Sequence, residues 1–509
     1  MRKDFVVGID DGTQTLTVLM MDLEGKVFAR GDHDVPMFEG PNGEREQDPK
    51  DWRTALSIAL SQARKQAEFA GIELGNCLGI CPSGQMHGEC IRLDDGTWRG
   101  NVKLWCDSRD EARELSELLN RNVPQRLTIS RWLWTIRHQT DIAQRCVGLT
   151  TPSGAIATFL DGQAWALGLG DACGAFPIDP VTLSYKAGMA RKFDQSVEGK
   201  GIRPILQLLP PPVAVGTQIG QVDGDGAILS GFAIGTPIFV PEGDQPTTLA
   251  GALVCNEGEL AMSGGTSICA NLVTSKSFQG FHPGVDQFMT ADGRQFMMCH
   301  IQNGTTFMNL VVGLLGKFLD MREHFPVLMQ LAAESSVDCG GIIILPLAEP
   351  EHGVGFPDKA ISGIFGLRGD NALSGNLVRA AFVGSMFGIL HSVKALREQG
   401  MDAREIVVCG GIAKSPWTVQ VIADIFETPV RILSEAAEGS AYGAALMALY
   451  GARRKSEPKL TWPEFLKAMR PAESIIISPT PGNAGQYQAM FERFSRLVGE
   501  VEGKLVDIF

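Results

Sequence analysis

Positive charge is in short supply in this sequence, with 45 Lys and Arg set against 58 Asp and Glu, a formal net charge of -13 and a sequence pI near 5.2. That balance leaves no basic stripe to neutralise phosphates, which argues against a nucleic-acid or anionic-membrane surface. Long apolar runs are missing too: the stretch Phe307 to Leu319 carries Lys317 and stops short of the ~20 residues that a membrane helix needs. Cysteine pairing is also without support. The eleven cysteines are scattered and odd in number, and no signal-peptide pattern precedes the first apolar run. They are expected to be reduced thiols of a cytoplasmic protein. Cys77, Cys81, His87 and Cys90 crowd into fourteen residues. On a strand, however, Cys77 and Cys81 would stand ~13 Å apart, too far for one zinc ion bound at ~2.3 Å. What is present is 44% hydrophobic and 20% charged, a globular composition, and 509 residues exceed one ordinary core, so two or three domains are expected.

The run Thr236 to Val240 reads as a buried strand, and Pro241, Glu242, Gly243, Asp244, Gln245 and Pro246 follow it. A carboxylate at the end of a rigid strand is well placed for chemistry, although Gly243 and Asp244 also suit a plain turn. At the start of the chain, Phe5 to Ile9 and Thr15 to Met21 predict a hairpin whose turn is Asp10, Asp11, Gly12, Thr13 and Gln14. Gly12 lets backbone amides approach an anion, Thr13 offers a hydroxyl, and Asp10 can hold a hydrated magnesium ion. An ordinary hairpin with positive-φ turn residues accounts for the same letters.

Lys26 to Arg30 predicts a third strand, and Asp48 as N-cap with Pro49 at the first helical position predicts a helix. Its face of Trp52, Ala55, Leu56, Ala59, Leu60 and Ala63 should lie on the sheet. The strand Cys77 to Cys81 then runs into Gln85, Met86, His87 and Gly88, whose polar groups suit the hydroxyls of a polar ligand. Trp105, Asp107 and Arg109 are candidates for a sugar wall, with Asp107 accepting hydroxyl protons and Trp105 covering a ring face. Asp107 also suits a helix start leading into Glu111 to Leu119. Gly168 to Gly174 departs from a dinucleotide fingerprint in spacing, and Gly313 to Lys317 lacks P-loop spacing, so neither is read as a site.

The second half repeats the first. Glu259 to Met262 and Ile268 to Val273 flank Gly264, Gly265, Thr266 and Ser267, echoing the opening hairpin. Strands at Gln295 to His300, Gly341 to Leu345 and Glu405 to Cys409 alternate with helices from Thr305 and from about Leu373 to Gln399. Gly410 and Gly411 leave room for a base or ribose before a helix that opens at Pro416 and is capped by Ser415. The small-residue helix from Glu438 is expected to pack beneath that turn. From about Gly451 charge and proline increase, and a closing helix near Gln486 to Val506 should dock through Met490, Phe494 and Leu497.

Six of these motifs, in order, resemble the FGGY carbohydrate kinases, and within them the xylulose kinase group. They are Gly8-Ile9-Asp10-x-Gly12-Thr13, Gly84-Gln85-Met86-His87-Gly88, Trp105-x-Asp107-x-Arg109, Gly243-Asp244-Gln245, Gly264-Gly265-Thr266-Ser267 and Gly410-Gly411-x-Ala413-x-Ser415. The resemblance implies an α/β chain of two RNase H-like domains of the actin and hexokinase ATPase type, with an interdomain cleft. Residues 1–247 would carry the sugar and the catalytic Asp244, residues 248–455 the nucleotide, and residues 456–509 a helical tail. It further implies ATP at Gly12, Thr13, Gly264, Gly265, Thr266, Gly410, Gly411 and Ser415, and Mg2+ held by Asp10 through water. Gln85, Met86, His87, Gly88, Trp105, Asp107, Asp244 and Gln245 would face a small ketose or polyol. Neither nucleic acid nor a membrane is an expected partner, and a homodimer is compatible with the reading.

Two departures bear on the acceptor. Gln245 stands where xylulose kinases usually have Asn, as in the glycerol kinase pattern, and Glu351-His352-Gly353 replaces the usual Glu-Arg-Thr-Pro. Kinases of ribulose, a tetrulose or glycerol therefore stay in play beside a D-xylulose kinase. So does a sugar-responsive ATPase or regulator without catalysis, since fold alone does not fix function.

Overall fold

The computed structural model describes residues 4–265, 267–316, 321–354, 360–433, 439–471 and 474–504. The chain forms two compact units: Met1–Cys255 with Phe288–Gln295 and Glu438–Arg470, and Asn256–Gln287 with Phe296–Ala437 and Pro471–Phe509. These units follow contacts rather than chain order. The sequence limit at 247 falls inside the helix Asp244–Gly251, and the limit at 455 falls inside the last segment of the first unit.

In the first unit Phe5–Asp11 and Thr15–Asp22 form an antiparallel hairpin, extended by Val27–Asp34. The strand Cys77–Gly84 joins parallel to the first strand and runs three residues further than its apolar letters suggest, because Pro82 to Gly84 stay paired with Ile9 to Asp11. Pro237–Phe239 and Gln218–Gln221 complete one side of the sheet. The helix Pro49–Phe69 starts where expected, with the Asp48 side chain accepting the Lys50 N–H. It buries Trp52, Ala55, Leu56, Ala59, Leu60 and Ala63 on the sheet, each large aliphatic adding about 1.5–3 kcal/mol. Contact is close enough that a Cβ on Gly31 would stand 1.9 Å from the Ala59 carbonyl oxygen.

The helix Gly439–Arg454 differs from expectation. Sequence alone sets it beneath the Cys409–Ser415 turn, but the structure packs it in the first unit against the first strand and the helix Asp244–Gly251. A Cβ on Gly8 would lie 2.1 Å from the Ala441 carbonyl oxygen, and one on Gly443 would lie 1.8 Å from that of Thr247. Its small residues thus serve backbone-to-backbone contact, a non-local fact that helical periodicity does not carry.

The second unit is built on the same strand plan. Reading across, Gln218–Gln221, Pro237–Phe239, Cys77–Gly84, Phe5–Asp11, Thr15–Asp22 and Val27–Asp34 correspond in order to Ile475–Ile477, Val430–Ile432, Glu405–Gly410, Glu259–Gly264, Ile268–Thr274 and Gln295–Ile301. The first four pairings in each series share their sense: antiparallel, parallel, parallel, antiparallel. The helix Ser374–Glu398 fills the core of this unit. It is the one helix among the described residues long and apolar enough to cross a membrane, and most of it is buried within the protein. The closing helix Asn483–Lys504 docks on the same core through Tyr487, Met490, Phe491 and Phe494, with Leu497 half-buried.

Smaller expectations need adjustment. Ser415 precedes the helix Pro416–Phe426 but makes no side-chain cap; its carbonyl accepts the Thr418 hydroxyl instead. The helix read from Asp107 begins at Ala112, because the Asp107 carboxylate is drawn inward to Arg109. All eleven cysteines are free thiols, and those of Cys77 and Cys81 donate to the carbonyls of Gly79 and Val240.

Candidate active site

The first unit gathers carboxyl groups at the ends of the strands Phe5–Asp11 and Glu242–Gly243, on either side of Cys77–Gly84. Glu242–Gly243 pairs with Ser83 and Gly84, which in turn pair with Asp10 and Asp11. Asp244 follows at once as the first residue of its helix, so it occupies a helix start rather than the open loop or turn read from sequence. A carboxylate is favoured there by the helix dipole. Its carboxylate, half-buried, accepts from the Gln245 side chain and from the backbone N–H groups of Gln245 and Met86, and burial outweighs these bonds to raise its pKa to about 6. The Met86 contact brings Asp244 to the Gln85–Gly88 loop.

Asp10 lies beside it. The Ser83 hydroxyl donates to Asp10 Oδ1 at 3.1 Å and stands 2.9 Å from Thr247 Oγ1, and the Ser440 hydroxyl donates to the Asp244 carbonyl at 3.2 Å. Burial first, and the neighbouring Asp244 second, push Asp10 up to about 7. Asp171 is wholly buried; its Oδ2 accepts from Thr151 and Ser153 at 2.5 Å each, and burial pushes it to about 7. Glu242 accepts the N–H groups of Gly170, Asp171 and Gly243, which oppose the effect of its burial and of Asp171; the balance lies at about 8. Asp11 is buried, neither of its carboxyl oxygens has a hydrogen-bond partner among the described residues, and burial holds its pKa well above the usual range.

His87 adopts φ 72°, a left-handed conformation that costs a non-glycine residue of order 1–3 kcal/mol. Its Nδ1 lies 3.3 Å from the Gly174 carbonyl and its ring faces Phe288 at 5.4 Å between centroids. Burial and the positive charge of Arg126 hold its pKa well below the usual value, so the ring is neutral. With Nδ1 as donor to the carbonyl, Nε2 carries the lone pair. Met86 packs its side chain on Gly243, where a Cβ would meet Cγ at 2.4 Å.

Other candidates turn their polar groups inward. The Trp105 Nε1–H donates to Thr13 Oγ1, which donates to Gln85 Oε1; the Gln85 amide donates to Gln47, and Gln47 donates to the Thr13 carbonyl. The Gly12 N–H closes the hairpin on the Thr15 carbonyl, and its φ is not positive. Asp107 accepts from Arg109 and from the Arg45 N–H, bonds that overcome burial and hold its pKa low. Buried Arg131 donates to the Trp105 and Asp107 carbonyls. Hydrogen bonds thus tie these candidates to one another and to Gln47, Arg45, Arg109 and Arg131 beside the loop.

In the second unit the two glycine turns meet. Gly264 pairs with Gly410, and a Cβ on Gly410, whose φ is 75°, would stand 3.1 Å from the Gly264 carbonyl oxygen. The Gly265 N–H bonds the Ser267 carbonyl, its own carbonyl accepts from Thr305, and the space beside it is open. Thr266 lies outside the described residues.

The sequence pattern of the FGGY family of carbohydrate kinases matches twice, its N-terminal domain over residues 5–251 and its C-terminal domain over residues 260–452. The chain belongs to this family. It is similar to a xylulose kinase of Staphylococcus epidermidis, 26% identical over 469 residues that cover 89% of this chain and 88% of the relative. A Haemophilus influenzae xylulose kinase is 27% identical over 503 residues, covering 96% and 98%. Among solved structures, a xylulose kinase from Rhodospirillum rubrum superposes with TM-score 0.82 at 20% identity, covering 98% of this chain and 99% of that one, which shows the two-domain α/β fold. This carbohydrate kinase accordingly takes ATP as co-substrate and a small sugar as acceptor.

Sequence reading of the kinase missed Asp171, Glu242, Ser83 and Thr247. Glu242 stands two residues before Asp244 and was within reach of the same argument. Asp171 gives no local signal, because its significance comes from Thr151, Ser153 and Glu242, between 18 and 71 residues away.

Proposed function

We propose that the chain transfers the γ-phosphoryl group of ATP to a primary hydroxyl of a ketopentose, D-xylulose first, with Asp244 as general base. The observation that carries this reading is the half-buried Asp244 carboxylate, tied to the Met86 N–H and raised to about 6, a value suited to accepting a proton near neutrality. The acceptor O–H gives its proton to Asp244 as its oxygen bonds to the γ-phosphorus. The bond from phosphorus to the bridging oxygen breaks, and ADP leaves with that electron pair. Neutral His87, with its lone pair on Nε2, accepts a hydrogen bond from an acceptor hydroxyl, and Met86 with Gly243 sets the distance between that contact and the base.

Asp10 fits a hydrated magnesium ion, because a cation relieves the repulsion between it and Asp244. Among the described residues no group of three or more His, Cys, Asp or Glu is set to hold a metal, so such an ion would take most of its ligands from water and phosphate. When bound it supplies charge neutralisation on the phosphates. The glycine turns of the second unit, with open space beside Gly265 and with Gly410 and Gly411 set against the Gly264 carbonyl, support ATP there, and the first unit would hold the sugar. The acidic net charge of -13 supports an enzyme without nucleic-acid or membrane partners, and a cytoplasmic location and a homodimer belong to the same reading.

Gln245 favours keeping other acceptors in view. ADP release measured across D-xylulose, ribulose, erythrulose, gluconate and glycerol tests the assignment. D-xylulose giving the highest kcat/KM is the expected result. A different best acceptor replaces the substrate, and no acceptor-dependent release with any of them removes the catalytic reading in favour of a sugar-responsive ATPase.

A further inference from the structure

Two residues beyond His87 the chain buries a complete ion pair. Glu89 and Lys103 both have side chains that are 0% exposed, and Lys103 Nζ donates to Glu89 Oε2 at 2.6 Å. Thr135, on the helix Thr128–His138, closes a ring: it accepts from Lys103 at 2.6 Å and donates to Glu89 Oε1 at 2.6 Å. Arg99 stands 3.6 Å from the same carboxylate, and the Lys103 ammonium lies 4.9 Å over the Trp134 ring. Burial pushes the Lys103 pKa down and Glu89 holds it up.

A buried pair of this kind contributes little net stability relative to apolar residues of the same size, because desolvation offsets the attraction. It does impose one geometry, since each member left alone is a buried uncompensated charge. That geometry falls on the strained turn. The Glu89 N–H donates to the Lys103 carbonyl at 2.9 Å, Thr128 Oγ1 is 3.5 Å from the Gly88 carbonyl, and a Cβ on Gly88 would meet the Pro152 ring at 2.7 Å. Lys103 also pairs across the strand with Glu46, next to the Gln47 that holds Gln85. His87 has no reason of its own to remain at φ 72°, so something outside it must hold the turn.

We propose that the Glu89–Lys103–Thr135 ring is a positioning device that locks the left-handed His87 turn and thereby sets the acceptor-binding end of the site. The inference rests on the sugar-kinase reading for its effect on catalysis, but the locking of the turn can be read without activity. None of the three touches the reacting atoms.

The test uses the full chain and the triple variant Glu89→Met, Lys103→Met and Thr135→Val, which removes both charges of the ring together, while Arg99, partly exposed, keeps its bond to Gln139. Expected are a Tm within about 3 °C of the parent and hydrogen exchange at residues 86–88 at least ~10-fold faster. For the best acceptor, KM should rise at least ~10-fold while kcat stays within about 3-fold. Unchanged exchange and unchanged KM in the folded variant overturn the proposal. If the triple variant does not fold, Thr135→Val against Thr135→Ser decides: KM raised about 3-fold by Val alone supports the lock, and equal values for the two overturn it. If the parent shows no acceptor-dependent ADP release, the sugar-kinase reading fails by itself, and the exchange comparison still decides whether the ring locks the turn.

Discussion

Acidification from pH 7 to pH 5 separates a raised Asp244 from an ordinary carboxylate. Burial lifts this group to about 6 against the bonds from Gln245 and Met86. A base works only when unprotonated, so kcat/KM follows its ionised fraction, roughly 90% at pH 7 and roughly 9% at pH 5, a fall of about tenfold. A carboxylate at the free-peptide value of ~3.9 would remain roughly 93% ionised at pH 5 and lose almost nothing. Asp10, at about 7, is expected to steepen the limb, since its protonation removes the charge that would hold the magnesium ion. ADP should be quantified in quenched time courses, which avoids the pH dependence of a coupling enzyme, and samples returned from pH 5 to pH 7 control for acid damage. A kcat/KM constant within twofold across the interval refutes the assignment of a raised base.

Other consequences follow from packing and charge. Gly8→Ala places a Cβ 2.1 Å from the Ala441 carbonyl oxygen and 2.5 Å from the Ala445 nitrogen; overpacking should cost about 1–3 kcal/mol, and an unchanged urea midpoint would contradict the contact. Asp10, Asp171 and Glu242 have folded-state pKa values of about 7, 7 and 8, above their unfolded values. The folded chain therefore binds more protons than the unfolded one between pH 6.5 and 8, and stability falls as pH rises through that window. The ligand-free Tm should be higher at pH 6.5 than at pH 8 by about 2 °C or more, and a Tm that climbs with pH contradicts it. Tyr487→Phe removes the acceptor of an Arg379 N–H···O bond of 2.8 Å inside the second unit; about 1.5–3 kcal/mol should be lost, and a loss near zero would detach the closing helix from that anchor.

Local letters carried a good part of the structure. Asp48-Pro49, the two glycine-hydroxyl hairpins and the strand before Asp244 were legible because caps, turns and alternation act within a few residues. Asp244 was legible as the residue that follows a strand, whereas Asp10, read into the hairpin turn, lies inside the strand Phe5–Asp11. The rest depends on contacts that no short window contains. Asp171 acquires meaning only from Thr151, Ser153 and Glu242. The small residues of Gly439–Arg454 announce close packing without naming the partners, which within the first unit include Gly8 and Thr247. Thr13, Gln85 and Asp107 look like ligands in sequence, and in the fold each also hydrogen-bonds within the protein, with Trp105, Gln47 and Arg109. A polar letter in a motif thus specifies capacity for a hydrogen bond, and the fold decides who receives it.

Asp244→Asn is the most direct trial of the proposed chemistry, because it keeps the shape and one accepting oxygen for the N–H groups of Gln245 and Met86 while removing the proton acceptor. Single-turnover transfer from labelled ATP, with acceptor affinity measured by calorimetry on the same preparation, should show turnover lowered at least ~100-fold and affinity within about 3-fold. Transfer at close to the parent rate in a variant that binds acceptor normally would contradict Asp244 as the base.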